Sequence, residues 1–308
     1  MRAVRMHDFG PAEVLVYEEA PRPTAGAGEA LIRVRAAGVN PVDWKIRSGA
    51  IRAWAPTLPY IPGFDVAGVV ESVGEGVTAI KPGDEVYAFI SVQRAGGYAE
   101  YVAVPTEWIA PKPATIDFVQ AAAVPLAGLT AWQALFDKAD LQPGQTVLIH
   151  GGAGGVGHFA VQLAHAKGAK VIATASKRNH EFLQAMGADE VIDYQASKFE
   201  EIVRDVDVVL DTIGGDTQER SFGVLKPGGI IVSIVQPPDP AKLAAHKIRG
   251  VVMLVQPNAQ ELAELGAMID AGKVKPEVSE VLLLRDAAKA HAMSETGHTR
   301  GKIVLSVR

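Results

Sequence analysis

The stretch Thr146–Gly157 reads TVLIHGGAGGVG, and it decides the architecture. A short β-prone run, Thr146–His150, enters a glycine-rich bend, and the residues after it carry apolar side chains at helical spacing, predicting a helix over about Gly155–Lys167. Gly152, Gly154 and Gly157 match G-x-G-x-x-G, with Gly155 and Val156 completing the bend. Glycine permits the tight turn and a close backbone approach, while the helix start offers N–H groups and a positive dipole end to a diphosphate. The strand before and the helix after distinguish a dinucleotide site from a flexible loop.

The next strand, Lys170–Ala175, ends in Ser176-Lys177-Arg178, about twenty residues on, where an NAD-binding unit carries an acid for the ribose 2′-hydroxyl. A hydroxyl and two cations stand there instead, which suits the 2′-phosphate of NADP(H). The other use of these residues is a solvated helix start with Ser176 as N-cap. Tyr194 closes the third strand, Glu190–Tyr194, where it either lies along the adenosine end or packs on the sheet.

Strand and helix alternate onward through His180–Met186, Val206–Ile213, Gly229–Val235 and Val251–Val255, giving the six strands of a doubly wound parallel sheet. Ahead of about Pro113 the pattern differs: Ala30–Ala37, Asp65–Val73, Asp84–Ile90 and Gly97–Val104 are short β-rich runs punctuated by Gly and Pro, as in a β barrel-like domain. Val281–Leu284, a helix over about Asp286–Ser294, and Lys302–Val307 have no place in the completed parallel sheet and are expected to return to the first domain. Pro237–Arg249, rich in Pro, Lys and Ala, is expected to be a mobile gate near the sixth strand.

Composition narrows the chemistry. In 308 residues there are 31 glycines, 19 prolines and no cysteine, so disulfides, thiolate nucleophiles, Fe–S clusters and thiolate zinc sites are excluded. A net charge of −5 argues against nucleic acid as a partner. No run approaches the ~18 apolar residues of a membrane span, and Met1–Gly10 has no apolar leader core, so a cytoplasmic protein acting on small molecules is expected. Of 8 histidines, His158 and His165 share a helix at a spacing of seven, and no His-x-x-x-His pair occurs. No nucleophile elbow with a Ser/His/Asp set is present.

Ala36-Ala37-Gly38-Val39-Asn40-Pro41, Gly63-Phe64-Asp65-Val66-Ala67-Gly68-Val69-Val70, Lys81-Pro82-Gly83-Asp84, Gly96-Gly97-Tyr98-Ala99-Glu100-Tyr101 and Gly151–Gly157 occur in that order. Together they resemble the medium-chain dehydrogenase/reductase superfamily, in its zinc-free quinone oxidoreductase (zeta-crystallin-like) branch, across essentially the whole chain. The resemblance implies an α/β protein with a split GroES-like β-rich catalytic domain, residues 1–120 and 272–308, around a Rossmann domain, residues 121–271. It also implies an active site in the cleft between them and a homodimer joined at Rossmann edge strands, here at Val251–Leu254. The zinc alcohol dehydrogenases carry Cys where this chain has Asn40 and His-Glu where it has Phe64-Asp65, so the side chains that bind the metal there are missing. Without a Lewis acid, alcohol oxidation loses its means of lowering the hydroxyl pKa.

The resemblance places Asn40, Asp43 and Lys45 beside the nicotinamide. Asn40 serves as a hydrogen-bond donor to cofactor or acceptor, or else as a turn residue ahead of Pro41. Asp43 orients the loop or Lys45, and Lys45 steadies developing negative charge or remains a solvated cation. Members of the zeta-crystallin type carry Tyr at the position of Lys45, so this chain departs from them there. Asp65 reads as a structural acceptor of nearby backbone hydrogen bonds. Phe64 and Tyr60 are expected to wall the acceptor pocket, with Trp44 and Trp54 as further apolar surface. The matching Thr, Thr130, contacts the nicotinamide ribose in the family, and Lys302 of the C-terminal strand either reaches the cofactor or is solvated. Strand ends at Thr212, Gly214, Ser233, Ile234, Leu254 and Val255 face the ligand crevice through backbone groups. The expected activity is NADPH-dependent, zinc-independent hydride transfer to a quinone or related electron-poor acceptor. The alternatives are an alkenal/alkenone double-bond reductase and a non-catalytic NADPH-binding sensor or structural protein.

Overall fold

A computed structural model describes residues 1–55 and 57–308. Its strands are β1 (Arg2–Met6), β2 (Leu15–Glu19), β3 (Glu29–Val39), β4 (Asp65–Val73), β5 (Glu85–Phe89), β6 (Tyr101–Pro105), β7 (Ile109–Pro111), β8 (Thr146–Ile149), β9 (Lys170–Ala175), β10 (Glu190–Asp193), β11 (Val206–Asp211), β12 (Leu225–Ser233), β13 (Arg249–Val252), β14 (Val278–Leu283) and β15 (Lys302–Ser306). The helices are α1 (Pro41–Arg47), α2 (Phe118–Ala122), α3 (Pro125–Trp132), α4 (Gly157–Ala166), α5 (His180–Ala185), α6 (Phe199–Ile202), α7 (Gly215–Ser221), α8 (Pro240–His246), α9 (Ala259–Asp270) and α10 (Ala287–Glu295).

Two units form. One comprises Met1–Leu129, Gln256–Gly272 and Pro276–Arg308; the other comprises Thr130–Val255 and Lys273–Lys275. In the second unit β10-β9-β8-β11-β12-β13 pair in that order, all parallel. Counted from β8 this is 3-2-1-4-5-6, the order of dinucleotide-binding folds and the one expected from the alternation. Both faces of these strands are covered, so β8, β9 and β11 are apolar almost throughout, and Leu148, Ile172, Val209, Ile231 and Phe222 form a core of the unit.

In the first unit β14-β15-β3-β4-β5-β7 form one sheet, with β6 paired to β3, and β1 and β2 form a separate hairpin. The C-terminal strand β15 lies antiparallel to β3, with Ile303 opposite Val39, so the tail does return to the N-terminal half. Ile32, Val34, Val66, Ala88, Ile303 and Leu305 meet in its core.

Three local expectations are corrected. The strand expected from Gly97 starts only at Tyr101, because Gly97 and Tyr98 donate their amides to Gly63 and Pro62 instead, at 3.0 and 2.9 Å. Pro237–Arg249 is not a loose gate: Asp239 accepts the Ala241 amide at 2.8 Å and Pro240 sits at the first helical position, an N-terminal signature that starts α8. The stretch 256–271, assigned from sequence to the Rossmann domain, groups with the first unit. There Tyr87 Oη donates to the Leu262 carbonyl at 2.6 Å and Asp270 accepts the Thr115 amide at 2.9 Å. Lys273–Lys275 alone returns to the second unit, pinned by Gln162, whose Oε1 accepts the Lys275 amide at 2.8 Å and whose Nε2 donates to the Lys275 carbonyl at 3.0 Å.

The Tyr87 hydroxyl is the buried polar tie between β5 and α9. Tyr87→Phe leaves the Leu262 carbonyl without it and is expected to cost about 1–2 kcal/mol in urea unfolding; an unchanged midpoint would show that apolar packing alone seats α9.

Candidate active site

β8 delivers the chain into the glycine bend. The Gly152 amide donates to the Thr174 carbonyl at 3.0 Å, and the Gly154 amide closes on the Gly151 carbonyl at 2.9 Å. A Cβ on Gly157 would fall 2.3 Å from the Gly151 oxygen and one on Gly152 would fall 2.9 Å from Ala173 Cβ, so both positions exclude any side chain. Gly154, Gly155 and Val156 remain partly exposed at the tip of the bend. The first i→i−4 bond is the His158 amide to the Gly154 carbonyl, so the amides just ahead of it have no intrahelical acceptor and point out of the start of α4. Bare backbone, free donors and a positive dipole end fit a diphosphate, and hence a dinucleotide.

Around this loop the predicted residues fall at the carboxyl ends of the parallel strands, with the hydroxyls of Thr212 and Ser233 turned into the scaffold. Asp211, fully buried, accepts from the Ile213 and Gly214 amides at 3.0 and 2.8 Å and from Ser233 Oγ and Gln218 Nε2, both at 2.9 Å. The Ser233 hydroxyl is therefore committed inward, as is Thr212 Oγ1, which donates to the His150 carbonyl at 2.7 Å. The Ile234 amide is bonded to the Asp211 carbonyl, and Leu254 and Val255 follow β13 rather than end it. Ser176 is half-buried and stands at the N-cap of the short turn Lys177–Asn179, its Oγ accepting Asn179 Nδ2 at 3.2 Å in place of a backbone amide, and Lys177 and Arg178 are exposed after β9. Tyr194 is 54% exposed, which removes the alternative that it packs on the sheet. Thr130 is buried within α3. Sequence reasoning missed His150 and Asp211; their only signal is a polar residue at the end of an apolar strand.

In the first unit Asn40, Asp65 and Lys302 converge. Asn40 Nδ2 donates to Asp65 Oδ2 at 2.8 Å, and Lys302 Nζ donates to Asn40 Oδ1 and lies 3.4 Å from Asp65 Oδ2. Asp65 Oδ1 accepts the Leu126 amide at 2.7 Å, near the start of α3. All three side chains are buried, so Lys302 is neither a solvated cation nor an arm reaching for a cofactor. Burial pushes the Asp65 carboxyl above its ordinary value, against the pull of Lys302 and Asn40. Asn40 spends Oδ1 and one N–H inside the cluster and keeps one N–H.

Asp43 is also buried: its Oδ2 accepts the Asn40 amide at 2.7 Å in a capping box that starts α1. It touches no open space, so it positions Asn40 rather than meeting an acceptor. Burial, reinforced by Asp65 and only partly offset by the Asn40 amide and Lys302, pushes its carboxyl up to about 7. Lys45 is half-buried on the same helix, its Nζ 5.8 Å from the Trp44 ring centre. Phe64 has no exposed surface and is core packing, not a pocket wall; Tyr60 keeps 7% exposure.

The positions that hold zinc in alcohol dehydrogenases do not fit a metal in this chain. Asn40 and Asp65 are bonded to each other and to an ammonium, and Phe64 offers only hydrocarbon. Among the described residues no group of three or more His, Cys, Asp or Glu is arranged to hold a metal ion.

Known proteins place this geometry. The model of the alcohol dehydrogenase GroES-like domain matches residues 26–114, and the model described as zinc-binding dehydrogenase matches residues 186–305. The chain is similar to the chloroplastic NADPH-dependent alkenal/one oxidoreductase of Arabidopsis thaliana, 39% identical over 319 residues, which cover 99% of this chain and 79% of that one. The structure of the quinone oxidoreductase from Coxiella burnetii matches with a TM-score of 0.93 at 39% identity, over 100% of this chain and 99% of that one. The Escherichia coli quinone oxidoreductase complexed with NADPH matches with a TM-score of 0.91 at 32% identity, over 99% of this chain and 100% of that one. The chain belongs to the medium-chain dehydrogenase/reductase superfamily. Within it, the chain is a member of the zinc-independent quinone oxidoreductase branch.

The buried Asp43 carboxyl generates a pH prediction. Its folded pKa lies above the unfolded value of 3.8, so the stability it contributes is complete below pH 3.8 and is lost as pH rises toward about 7. Asp43→Asn keeps an acceptor for the Asn40 amide and cannot ionise. The melting temperature of the variant minus that of the parent is therefore expected to rise steadily from pH 4 to pH 7; a constant difference would place the Asp43 pKa at its ordinary value.

Proposed function

We propose that this chain is an NADPH-dependent, zinc-independent reductase of quinones or related electron-poor acceptors. The observation that carries this is the glycine cradle Gly152–Gly157 in one unit, whose positions 152 and 157 admit no side chain, combined in the other with an Asn40–Asp65–Lys302 cluster in which an ammonium occupies metal-ligand territory. NADPH, when bound, supplies the hydride; the acceptor takes that hydride and, from water, a proton. The amides of Gly155, Val156 and Gly157 hold the diphosphate, and Ser176, Lys177 and Arg178 recognise the 2′-phosphate, with Tyr194 exposed on the next strand end. Thr130 and the backbone of Thr212, Ser233, Ile234, Leu254 and Val255 orient the nicotinamide half. In the catalytic unit Asp43 fixes Asn40, Asn40 locks Asp65 and Lys302 behind the start of α1, and Lys45 steadies negative charge developing on the acceptor oxygen, with Tyr60 beside them.

Lys45, together with the 39% identity to an alkenal/one oxidoreductase, favours a second reading in which the acceptor is the β-carbon of an α,β-unsaturated carbonyl. Following the near-ultraviolet absorbance of NADPH with a panel of quinones and enones ranks the two. Consumption with neither would leave a binding protein without turnover and overturn both. Lys177→Ala/Arg178→Ala is expected to raise the KM for NADPH about tenfold or more while leaving that for NADH nearly unchanged; equal losses for the two would remove these residues from the 2′-phosphate.

The reading extends to a homodimer. Among the described residues β13 is the last strand of the parallel sheet, and its Val252 is 44% exposed, an apolar edge strand of the kind that pairs with another strand. Light scattering is expected to give about twice 32.5 kDa, and Val252→Lys to halve it; a monomeric parent would remove the dimer.

A further inference from the structure

We propose that His150 is a positioning residue of the dinucleotide loop: as the neutral tautomer with its proton on Nε2, it sets the direction of a hydrogen-bond chain that ends on the Gly151 amide. Because Gly151 opens the bend, the proposal rests on reading that bend as the diphosphate seat.

The chain is forced link by link. Ser221 Oγ donates to the Thr217 carbonyl at 2.7 Å, which uses its one hydrogen, so toward His150 Nε2 at 2.9 Å it has only lone pairs to offer. Nε2 therefore carries the proton. In a neutral ring Nδ1 is then bare, and Thr174 Oγ1, 3.2 Å away, must point its hydrogen at it. The lone pairs of Thr174 Oγ1 are left to accept the Gly151 amide at 3.3 Å. Every donor has one acceptor in this arrangement. A second proton, on Nδ1, would aim two N–H groups at Thr174 Oγ1 and turn its hydrogen away.

The surroundings keep that proton off. The ring is fully buried, edge-on to Phe199 with centroids 4.6 Å apart, and burial lowers its pKa to about 4; Asp211 and Glu200 act in the opposite sense and Arg220 in the same one. On the backbone side Thr212 Oγ1 holds the His150 carbonyl at 2.7 Å, and the Gly151 carbonyl accepts the Gly154 amide at 2.9 Å. Among the described residues the hydrogen bonds of the ring reach the bend through Thr174 and the Gly151 amide, not through the amides of Gly155, Val156 and Gly157.

His150→Phe keeps an aromatic ring against Phe199 and removes both nitrogens. The expected result is a Kd about tenfold weaker for NADPH and, by the same factor, for NADH, since both carry the diphosphate, with kcat within about twofold of the parent. Thr174→Val is expected to match it, and the double variant to be no worse than either single one. An unchanged Kd in His150→Phe, alongside lost binding in Gly157→Val, would overturn the role of His150 alone. Unchanged binding in Gly157→Val would overturn the diphosphate seat itself, and the proposal with it. Should His150→Phe not fold, nitrogen NMR of the parent decides: an Nε2–H neutral ring from pH 5 to pH 8 supports the chain, whereas an Nδ1–H ring or an imidazolium sinks it.

Discussion

One ammonium, buried where the sheet of the first unit meets the start of α1, holds four separate segments of chain together. Lys302 arrives on the C-terminal strand, Asn40 leaves β3, Asp65 opens β4, and the Leu126 amide at the start of α3 completes the acceptor set of Asp65. Taking two charges out of water costs several kcal/mol per ion, and that cost is tolerable only where every remaining lone pair and proton is used. Asp65 meets the requirement, since both its oxygens accept hydrogen bonds. The same requirement explains why Asp43 is present: an N-terminal cap on α1 fixes the Asn40 backbone so that its amide side chain can bridge the pair.

The second unit answers a comparable demand in a different way. Asp211 sits fully buried at the end of a central strand and collects two amides, a hydroxyl and a carboxamide, while His150 is satisfied by two hydroxyls. The polar side chains of Asp211, Thr212 and Ser233 at the strand ends are consumed in fixing the loops, and what is left exposed there is apolar or aromatic, as at Ile213, Val235, Leu254 and Tyr194. A ligand recognised through main-chain amides tolerates many side chains nearby but very few at the points of closest approach. Glycines 152 and 157 are such points, which is why they speak clearly in the sequence while Ser233 and Thr212 do not.

The legible parts are those in which local pattern and tertiary role coincide. Alternation of apolar strands with helices, closed by a glycine bend, leaves one strand order, and the tail could only return to the first sheet. Asn40, Asp65 and Lys302 each stood out in the sequence, yet nothing local says that a lysine 262 positions beyond an asparagine will donate to it. Phe64 was misplaced for a related reason: an aromatic in a turn reads the same whether it walls a pocket or fills a core. The stretch 256–271 directly follows the sixth strand and so reads as part of the same domain, whereas its placement is settled by distant partners, Tyr87 and the 114–115 turn. α8 was legible after all, in Asp239-Pro240, but its composition drew attention away from its cap.

The electrostatics of the first unit also bear on which acceptors can be reduced. The Lys302 charge is neutralised by Asp65 and its protons are directed at Asn40 and Asp65, so it has little to give a developing oxyanion. Arg47, the other basic residue in the last turn of α1, is buried and bonded to Glu295. What α1 still presents is Lys45, half-buried beside Trp44. A single ammonium of this kind, in the role proposed for it, gives modest help compared with a metal ion bound to the oxygen. The acceptor must then bring much of its own activation, as a quinone does through the aromaticity gained on reduction and an unsaturated ketone does through its conjugated carbonyl. An unactivated ketone or alcohol would need a Lewis acid that this arrangement of residues is not built to hold.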